Sequence, residues 1–339
     1  MKDILKAVVR GDRLTAEEAM HAMRVILRGE ASDIQVAGFL AGLAARGETT
    51  AELTALTQVM REFCTPVACD DTHAIDLCGT GGDGLGTFNI STTASFVCAG
   101  AGVTVAKHGN VGVSSRCGSA DVLRELGVNI DLGPAGVASC MEEAGIGFIF
   151  ARHFHPAMRH VMPARRELGV RTCFNLLGPL CNPAGIRRQV VGAFSTDAAR
   201  MMASILMHMG ASHVVTVSSH GGMDEFSLSG TATYFEYRSG SPSVCAETCE
   251  PRRFGLQEAP ASALGGGNAR VNAGTLLSVL DGTPGPRRDV VLLNSAFGLY
   301  VSGRFGALGD CVSAARESID TGAARASLAR LQHVSQRLA

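Results

Sequence analysis

From residue 74 onward, short apolar runs alternate with amphipathic stretches, and this alternation restricts the fold more than any other feature of the sequence. Segments 75–78, 103–106, 128–132, 147–150, 189–194 and 213–218 read as strands. Helical stretches at 119–126, 135–144 and 196–209 lie between them, and three more, at 271–280, 289–301 and 311–319, close the chain. A helix between two strands carries the chain back to its starting edge, so successive strands run parallel. Strands this uniformly apolar are buried on both faces. The expected fold class is α/β, with a large domain built on a mostly parallel β-sheet covered by helices.

The first residues follow a different pattern and predict a small all-helical N-terminal domain. Thr15 and Glu18 have the spacing of a capping box, with Met20, Met23 and Leu27 on one face of the helix that follows. Ser32 caps the next helix, whose apolar run ends at Gly47, and Thr49 with Glu52 forms a second capping box before Leu53, Leu56 and Met60. Cys64-Thr65-Pro66 reads as a linker, which puts the helical domain at 1–66 and the α/β domain at 67–339.

Composition excludes several functions. Lys plus Arg (30) nearly cancels Asp plus Glu (31), a balance unlike that of proteins that coat nucleic acid or anionic membrane. The longest weakly charged stretch, 88–106, is broken by Asn, Ser, Thr and Gly and reads poorly as a membrane span. Residues 1–10 lack the apolar core of a leader peptide. Eleven cysteines without any C-x-x-C pair suggest reduced thiols and a cytoplasmic location.

The chemistry concentrates where strands end. Gly79-Thr80-Gly81-Gly82-Asp83-Gly84 follows an apolar strand, the place where parallel sheets hold ligands. Glycines allow backbone N–H groups to approach phosphate oxygens closely. The letters also satisfy a dinucleotide fingerprint. However, Asp83 would repel a diphosphate without a metal or ribose hydroxyl beside it, and Lys107 stands where an acidic ribose ligand would be expected. Asn89-Ile90-Ser91-Thr92-Thr93 fits both a helix cap and a phosphate or metal-water site. Lys107-His108-Gly109-Asn110 follows a strand, and Lys107 is suited to act as a point-charge phosphate ligand. Arg165-Arg166 on the amphipathic stretch 156–168 reads first as a solvated face. His153, His155 and His160 lack a common zinc-ligand spacing. Segment 175–183, NLLGPLCNP, reads as a turn-rich crossover between lobes. Asp224-Glu225 after His220-Gly221-Gly222 reads as a hard-cation site, with a solvated turn as the plainer alternative.

Together these segments resemble the anthranilate phosphoribosyltransferases. GTGGD, NIST, KHGN, GSAD, HPAM, NLLGPL and HG..DE occur in that family's order and spacing along the whole chain. The resemblance implies a helical domain to which a segment near 156–183 returns, and homodimers joined through it. It implies that phosphoribosyl pyrophosphate is surrounded by Gly79, Gly82, Asp83, Thr87, Asn89, Ile90, Ser91, Thr92, Lys107, His108, Gly109, Asn110, Val111, Gly112, Val113, Ser114, Ser115 and Ser119. Ser91, Asp224 and Glu225 would bind Mg²⁺, two ions per site, and Gly79, Asn110 and Arg165 would contact anthranilate, with His108 nearby. Two positions depart from the family's habit: Val111 and Gly112 follow KHGN where arginine is common, and Arg152 stands where proline is usual.

No residue stands out as a general base. The implied reaction therefore relies on positioning and on neutralising a departing pyrophosphate, with Lys107 contributing charge. A nucleoside phosphorylase of related architecture is the nearest rival, disfavoured by the paired acids. A nucleic-acid-binding paralogue is disfavoured by the charge balance.

Overall fold

The computed structural model describes residues 1–112 and 116–338; Val113, Ser114 and Ser115 of the expected site lie outside the described residues. Four helices come first: α1 (Lys2–Val9), α2 (Ala16–Leu27), α3 (Asp33–Arg46) and α4 (Thr50–Glu62). Then follow β1 (Asp76–Gly79), α5 (Ile90–Gly100), β2 (Val105–Gly109), α6 (Ser119–Glu125), α7 (Pro134–Ala144), β3 (Ile146–Phe150), α8 (Ala151–Phe154), α9 (Met162–Leu168) and α10 (Phe174–Leu180). The chain continues through β4 (Arg188–Gly192), α11 (Thr196–His208), β5 (His213–Ser218), β6 (Ala232–Arg238) and β7 (Cys245–Cys249). Helices α12 (Ala269–Leu280), α13 (Pro286–Ser302), α14 (Leu308–Asp320) and α15 (Ala323–Arg337) complete it.

β1, β4 and β5 run parallel, while β6 and β7 add antiparallel strands at one edge. β2 and β3 form a parallel pair set beside β1 through the bridge Ile75–Val105. After β1 the chain therefore adds strands on one side, then crosses to β4 on the other. Such a reversal of strand order opens a crevice at the strands' C-terminal ends.

Alternation along the strands divides the core in two. Leu77, Val190, Val215 and Val217 join the apolar cluster built on α5, α13 and α15. Their neighbours Cys78, Val191 and Val214 join a second cluster with α11, α10 and the N-terminal helices. The small helical domain thus rests on one face of the sheet through α11, with Val161 and Ala164 from the α9 region in the same cluster. Gly298 permits the close packing of α13, since a Cβ there would meet Cys98 Sγ at 2.8 Å and Leu77 Cδ2 at 3.0 Å.

Four sequence expectations are corrected. Segment 128–132 forms no strand, although Val128, Ile130 and Leu132 are buried as its alternation requires. Its backbone is satisfied by a helix instead: Asn129 N donates to Ser335 Oγ of α15 at 3.1 Å. The turn-rich segment contains helix α10, with Pro179 inside its last turn. The stretch 156–168 is two pieces, a 3₁₀ turn at Pro156–His160 and then α9. The chain ends with a further helix, α15, whose core contacts Leu328, Leu331 and Val334 are too sparse to mark it in an arginine-rich stretch.

Both capping boxes form, at Thr15–Glu18 and Thr49–Glu52. Glu52 does more than cap, because it is 1% exposed and organises the helical domain. It accepts hydrogen bonds from Leu14 N at 2.8 Å, Thr49 N at 2.9 Å and Arg46 Nη1 at 3.1 Å. Burial pushes its carboxyl up, but the Arg46 guanidinium and the Leu14 and Thr49 donors pull it down to about 2. A folded-state pKa below the unfolded one stabilises the fold at higher pH and loses that contribution as pH falls towards 2. Glu52→Gln is expected to cost about 3–5 kcal/mol at pH 7, as for a broken buried ion pair. Thermal melts should show the gap between wild type and variant narrowing from about pH 4.5 to about pH 2. A pH-independent gap would contradict this reading.

Candidate active site

The crevice at the strand ends gathers most of the predicted residues. Beyond β1 the chain turns through Gly81 and Gly82, whose φ values of 65° and 73° favour glycine. Gly81 N donates to Asp224 Oδ2 at 2.6 Å. Two other glycines let Asp224 lie flat against the strand ends: a Cβ at Gly79 would sit 2.6 Å from Asp224 Oδ2, and one at Gly192 would sit 1.5 Å from the Asp224 carbonyl oxygen. The segment is held from behind by Asn294 of α13, which bonds both the amide and the carbonyl of Phe226 at 3.0 and 2.9 Å.

Three carboxyl groups meet around this loop. Asp83 Oδ1 accepts Leu85 N at 3.0 Å, while its Oδ2 is buried and its carboxyl faces that of Asp224. Asp224 has a carboxyl pushed above its usual range by burial and then by the charge of Asp83. Glu225 is pushed up by burial and by Asp224, against the pull of Lys107 and Ser91. Its Oε1 accepts Ser91 N at 3.1 Å, at the positive end of α5. Carboxylates packed this closely attract either protons or a cation. Among the described residues, no group of three or more His, Cys, Asp or Glu side chains is arranged to hold a metal unaided. Asp224 and Glu225 are nevertheless hard oxygen donors of the kind Mg²⁺ takes alongside waters and substrate phosphate oxygens.

Asn89 is the N-cap residue of α5 but its side chain makes no cap bond. Instead Nδ2 donates to Cys117 O at 3.2 Å, and Oδ1 accepts Asn272 Nδ2 at 2.9 Å. The capping alternative therefore fails for Asn89, whose side chain braces the far wall. Ile90 and Thr92 are buried in α5, and Thr87 bridges Gly265. Lys107 is 2% exposed, and its Nζ donates to Leu77 O at 2.6 Å. Below the loop that follows, Asp121 Oδ2 accepts Gly112 N and Gly118 N, both at 2.8 Å. Asn110 O accepts Ser119 Oγ at 3.3 Å, Asn110 Oδ1 accepts Val111 N at 2.8 Å, and a Cβ at Gly109 would strike Ser119 Oγ.

His108 faces His155, their ring centroids 5.1 Å apart. Burial, the partner histidine and Lys107 push His108 down to about 3, and burial pushes His155 down to about 4. Both rings are therefore neutral, although backbone hydrogen bonding at Gly178 for His108 and at Cys181 for His155 opposes the shift. His153 bonds Asp131 Oδ1 at 2.9 Å, and His160 accepts from Arg159. Arg165 is half-buried on α9, its guanidinium 5.4 Å from the Phe174 ring centroid, with no hydrogen bond or ion pair among the described residues. No direct bond ties it to the glycine loop.

Sequence reasoning overlooked Arg171. Its Nη2 donates to Gly82 O at 2.5 Å while its guanidinium lies 4.3 Å from the Phe194 ring centroid, so it connects the segment after α9 to the glycine loop. Nothing in the local sequence marks it, because both partners come from distant segments.

Comparison with known proteins assigns both parts of the chain to one family. Residues 2–64 match the helical bundle domain of a glycosyl transferase family, and residues 71–325 match that family's a/b domain. The anthranilate phosphoribosyltransferase of Salinibacter ruber is 53% identical over 99% of this chain and 98% of its own. That of Pelotomaculum thermopropionicum is 48% identical over 98% and 95%. The chain belongs to the anthranilate phosphoribosyltransferase family. The crystal structure of the anthranilate phosphoribosyltransferase from Thermus thermophilus superposes with a TM-score of 0.92 at 42% identity, covering 98% of this chain and 99% of that one. The anthranilate phosphoribosyltransferase of Saccharomyces cerevisiae, solved with phosphoribosyl pyrophosphate and Mg, gives 0.90 at 26% identity over 99% and 97%.

The closeness of Gly192 to Asp224 makes it a sensitive position for an anthranilate phosphoribosyltransferase site. Gly192→Ala must displace the Asp224–Glu225 segment, and forcing a methyl into a packed site costs about 1–3 kcal/mol. We expect activity to fall roughly tenfold or more with far-UV circular dichroism unchanged. Gly274→Ala on α12, with nothing within 4 Å of the new methyl, is the control and should leave activity intact. Equal activity of the two variants would refute the packing argument.

Proposed function

We propose that this chain transfers the 5-phosphoribosyl group from phosphoribosyl pyrophosphate to the amine of anthranilate, releasing pyrophosphate, in the second step of tryptophan synthesis from chorismate. The observation that carries this reading is the meeting of Asp83, Asp224 and Glu225 on a glycine loop at a sheet's switch point. A metal-bound pyrophosphate suits such a site, whereas a free anion would be repelled.

Asp224, Glu225 and Ser91 would hold Mg²⁺, two ions per site. When bound, Mg²⁺ supplies charge neutralisation on the departing pyrophosphate. The amides of Gly79 and Gly82, the Asn89, Ile90, Ser91 and Thr92 segment, Thr87 and Ser119 would cradle the phosphates and ribose. Lys107, His108, Gly109, Asn110, Val111 and Gly112 would also surround them, with Val113, Ser114 and Ser115 of the same expectation outside the described residues. In the reaction the amine nitrogen bonds to the ribose anomeric carbon, the bond from that carbon to pyrophosphate breaks, and the amine proton passes to solvent. The Lys107 ammonium would stabilise charge on the leaving oxygens. Burial keeps His108 and His155 neutral, so neither is poised as a strong base. Positioning and electrostatics thus carry the rate.

Arg165, whose guanidinium has no hydrogen bond or ion pair among the described residues, would clamp the anthranilate carboxylate, with Gly79, Asn110 and His108 alongside. We place the domain boundary between residues 66 and 67, with 156–183 returning to the helical domain. The exposed Val9 and Ile34 on that domain support a homodimer joined through it. No helix among the described residues is long and apolar enough to cross a membrane, and a cytoplasmic site of action is proposed.

Mixing the protein with phosphoribosyl pyrophosphate, Mg²⁺ and anthranilate should consume the fluorescence of anthranilate. Arg165→Ala should lower kcat/KM for anthranilate by roughly 10- to 150-fold, since a charge-assisted hydrogen bond contributes about 1.5–3 kcal/mol. Calorimetry should find phosphoribosyl pyrophosphate binding little changed. A lower melting temperature with both substrates equally impaired would make Arg165 a structural residue.

A further inference from the structure

Asp76 has no part in the transfer described above, yet it is completely buried beneath the site. Its Oδ1 accepts His108 N at 3.2 Å. Its Oδ2 accepts Asn182 Nδ2 at 2.8 Å and Gln189 Nε2 at 3.5 Å. Three N–H donors converge on this group, so a proton placed on it would face donors alone; the hydrogen bonding calls for the carboxylate. A buried carboxylate in turn requires a cation nearby.

Lys107, on the neighbouring strand β2, supplies that charge without forming a direct ion pair with Asp76 among the described residues. Burial pushes the Asp76 carboxyl up, and the charge of Lys107 is the first influence opposing it. The ammonium itself is buried, and its hydrogen-bond partner among the described residues is the carbonyl Leu77 O. Glu225 also interacts with the Lys107 charge, but it is one of the carboxylates proposed to hold Mg²⁺. Asp76 is the anion that remains. Its partner Asn182 also donates to Ala106 O at 2.8 Å. The backbone on both sides of Lys107, at Ala106 and His108, is thereby tied to the Asp76–Asn182 pair.

We propose that Asp76 is the positioning residue for Lys107: its carboxylate is the fixed counter-charge of the ammonium, and with Asn182 it clamps β2 so that the cation is aimed at the pyrophosphate. The proposal rests on the reading of Lys107 as a pyrophosphate ligand. It makes Asp76 part of the site's electrostatics although it touches no substrate.

A double-mutant cycle tests it, with Asp76→Asn, Lys107→Met and the two combined, each measured for melting temperature and for Mg²⁺-dependent binding of phosphoribosyl pyrophosphate. Asp76→Asn should weaken binding about tenfold and lower the melting temperature, within the coupling expected of charged neighbours. Once Lys107 is Met, adding Asp76→Asn should weaken binding no further, and the double variant should melt above Asp76→Asn alone. Independent, additive losses would overturn the proposal. If Asp76→Asn does not fold, a folded double variant supports the pairing and an unfolded one overturns it. Normal binding by Lys107→Met would instead remove the assignment of Lys107 as a ligand, while the coupling in melting temperature still decides whether Asp76 and Lys107 act as a pair.

Discussion

The mutual repulsion of Asp83, Asp224 and Glu225 is the interaction on which the rest of this structure turns. Separate segments, after β1 and after β5, deliver these acids to one place, where burial and neighbouring like charge raise the proton affinity of Asp224 and Glu225. The fold accepts that cost because Gly79 and Gly192 remove the side chains that would hold Asp224 away. Backbone amides of Gly81 and Ser91 offset part of the charge. A bound cation would relieve the repulsion, which couples metal and pyrophosphate in one binding event.

The architecture serves this arrangement. Reversal of strand order at β1 opens the crevice, α5 presents its N-terminus to Glu225, and α13 secures the acidic segment through Asn294. On the other face, α11 couples the sheet to the helical domain, and Arg171 reaches across to the glycine loop. Arg165 and the neutral His108 are proposed to serve the aromatic amine instead. The two substrates would thus meet surfaces of opposite electrostatic character.

Much of this was legible in the sequence because local chemistry determines it. Glycines after a strand, paired acids after another and capping boxes at helix starts each carry a physical signature within a few residues. The edge strands β6 and β7 were not legible, since β7 is mostly exposed and has no apolar run. Segment 128–132 alternates as a strand does, but its partner is a helix, and periodicity does not reveal partners. Asp76 was read as part of a strand and Arg171 was passed over. Their significance comes from Lys107, Asn182, Gly82 and Phe194, which chain topology brings together.

The most direct test of this account is a calorimetric titration of phosphoribosyl pyrophosphate into the protein with Mg²⁺ and again with excess EDTA. If the clustered carboxylates form a cation site shared with pyrophosphate, binding should be tight with Mg²⁺ and lost in EDTA, and it should return when Mg²⁺ is restored. Equal affinity under both conditions would contradict the central claim, because the acids would then be facing the pyrophosphate without a cation between them.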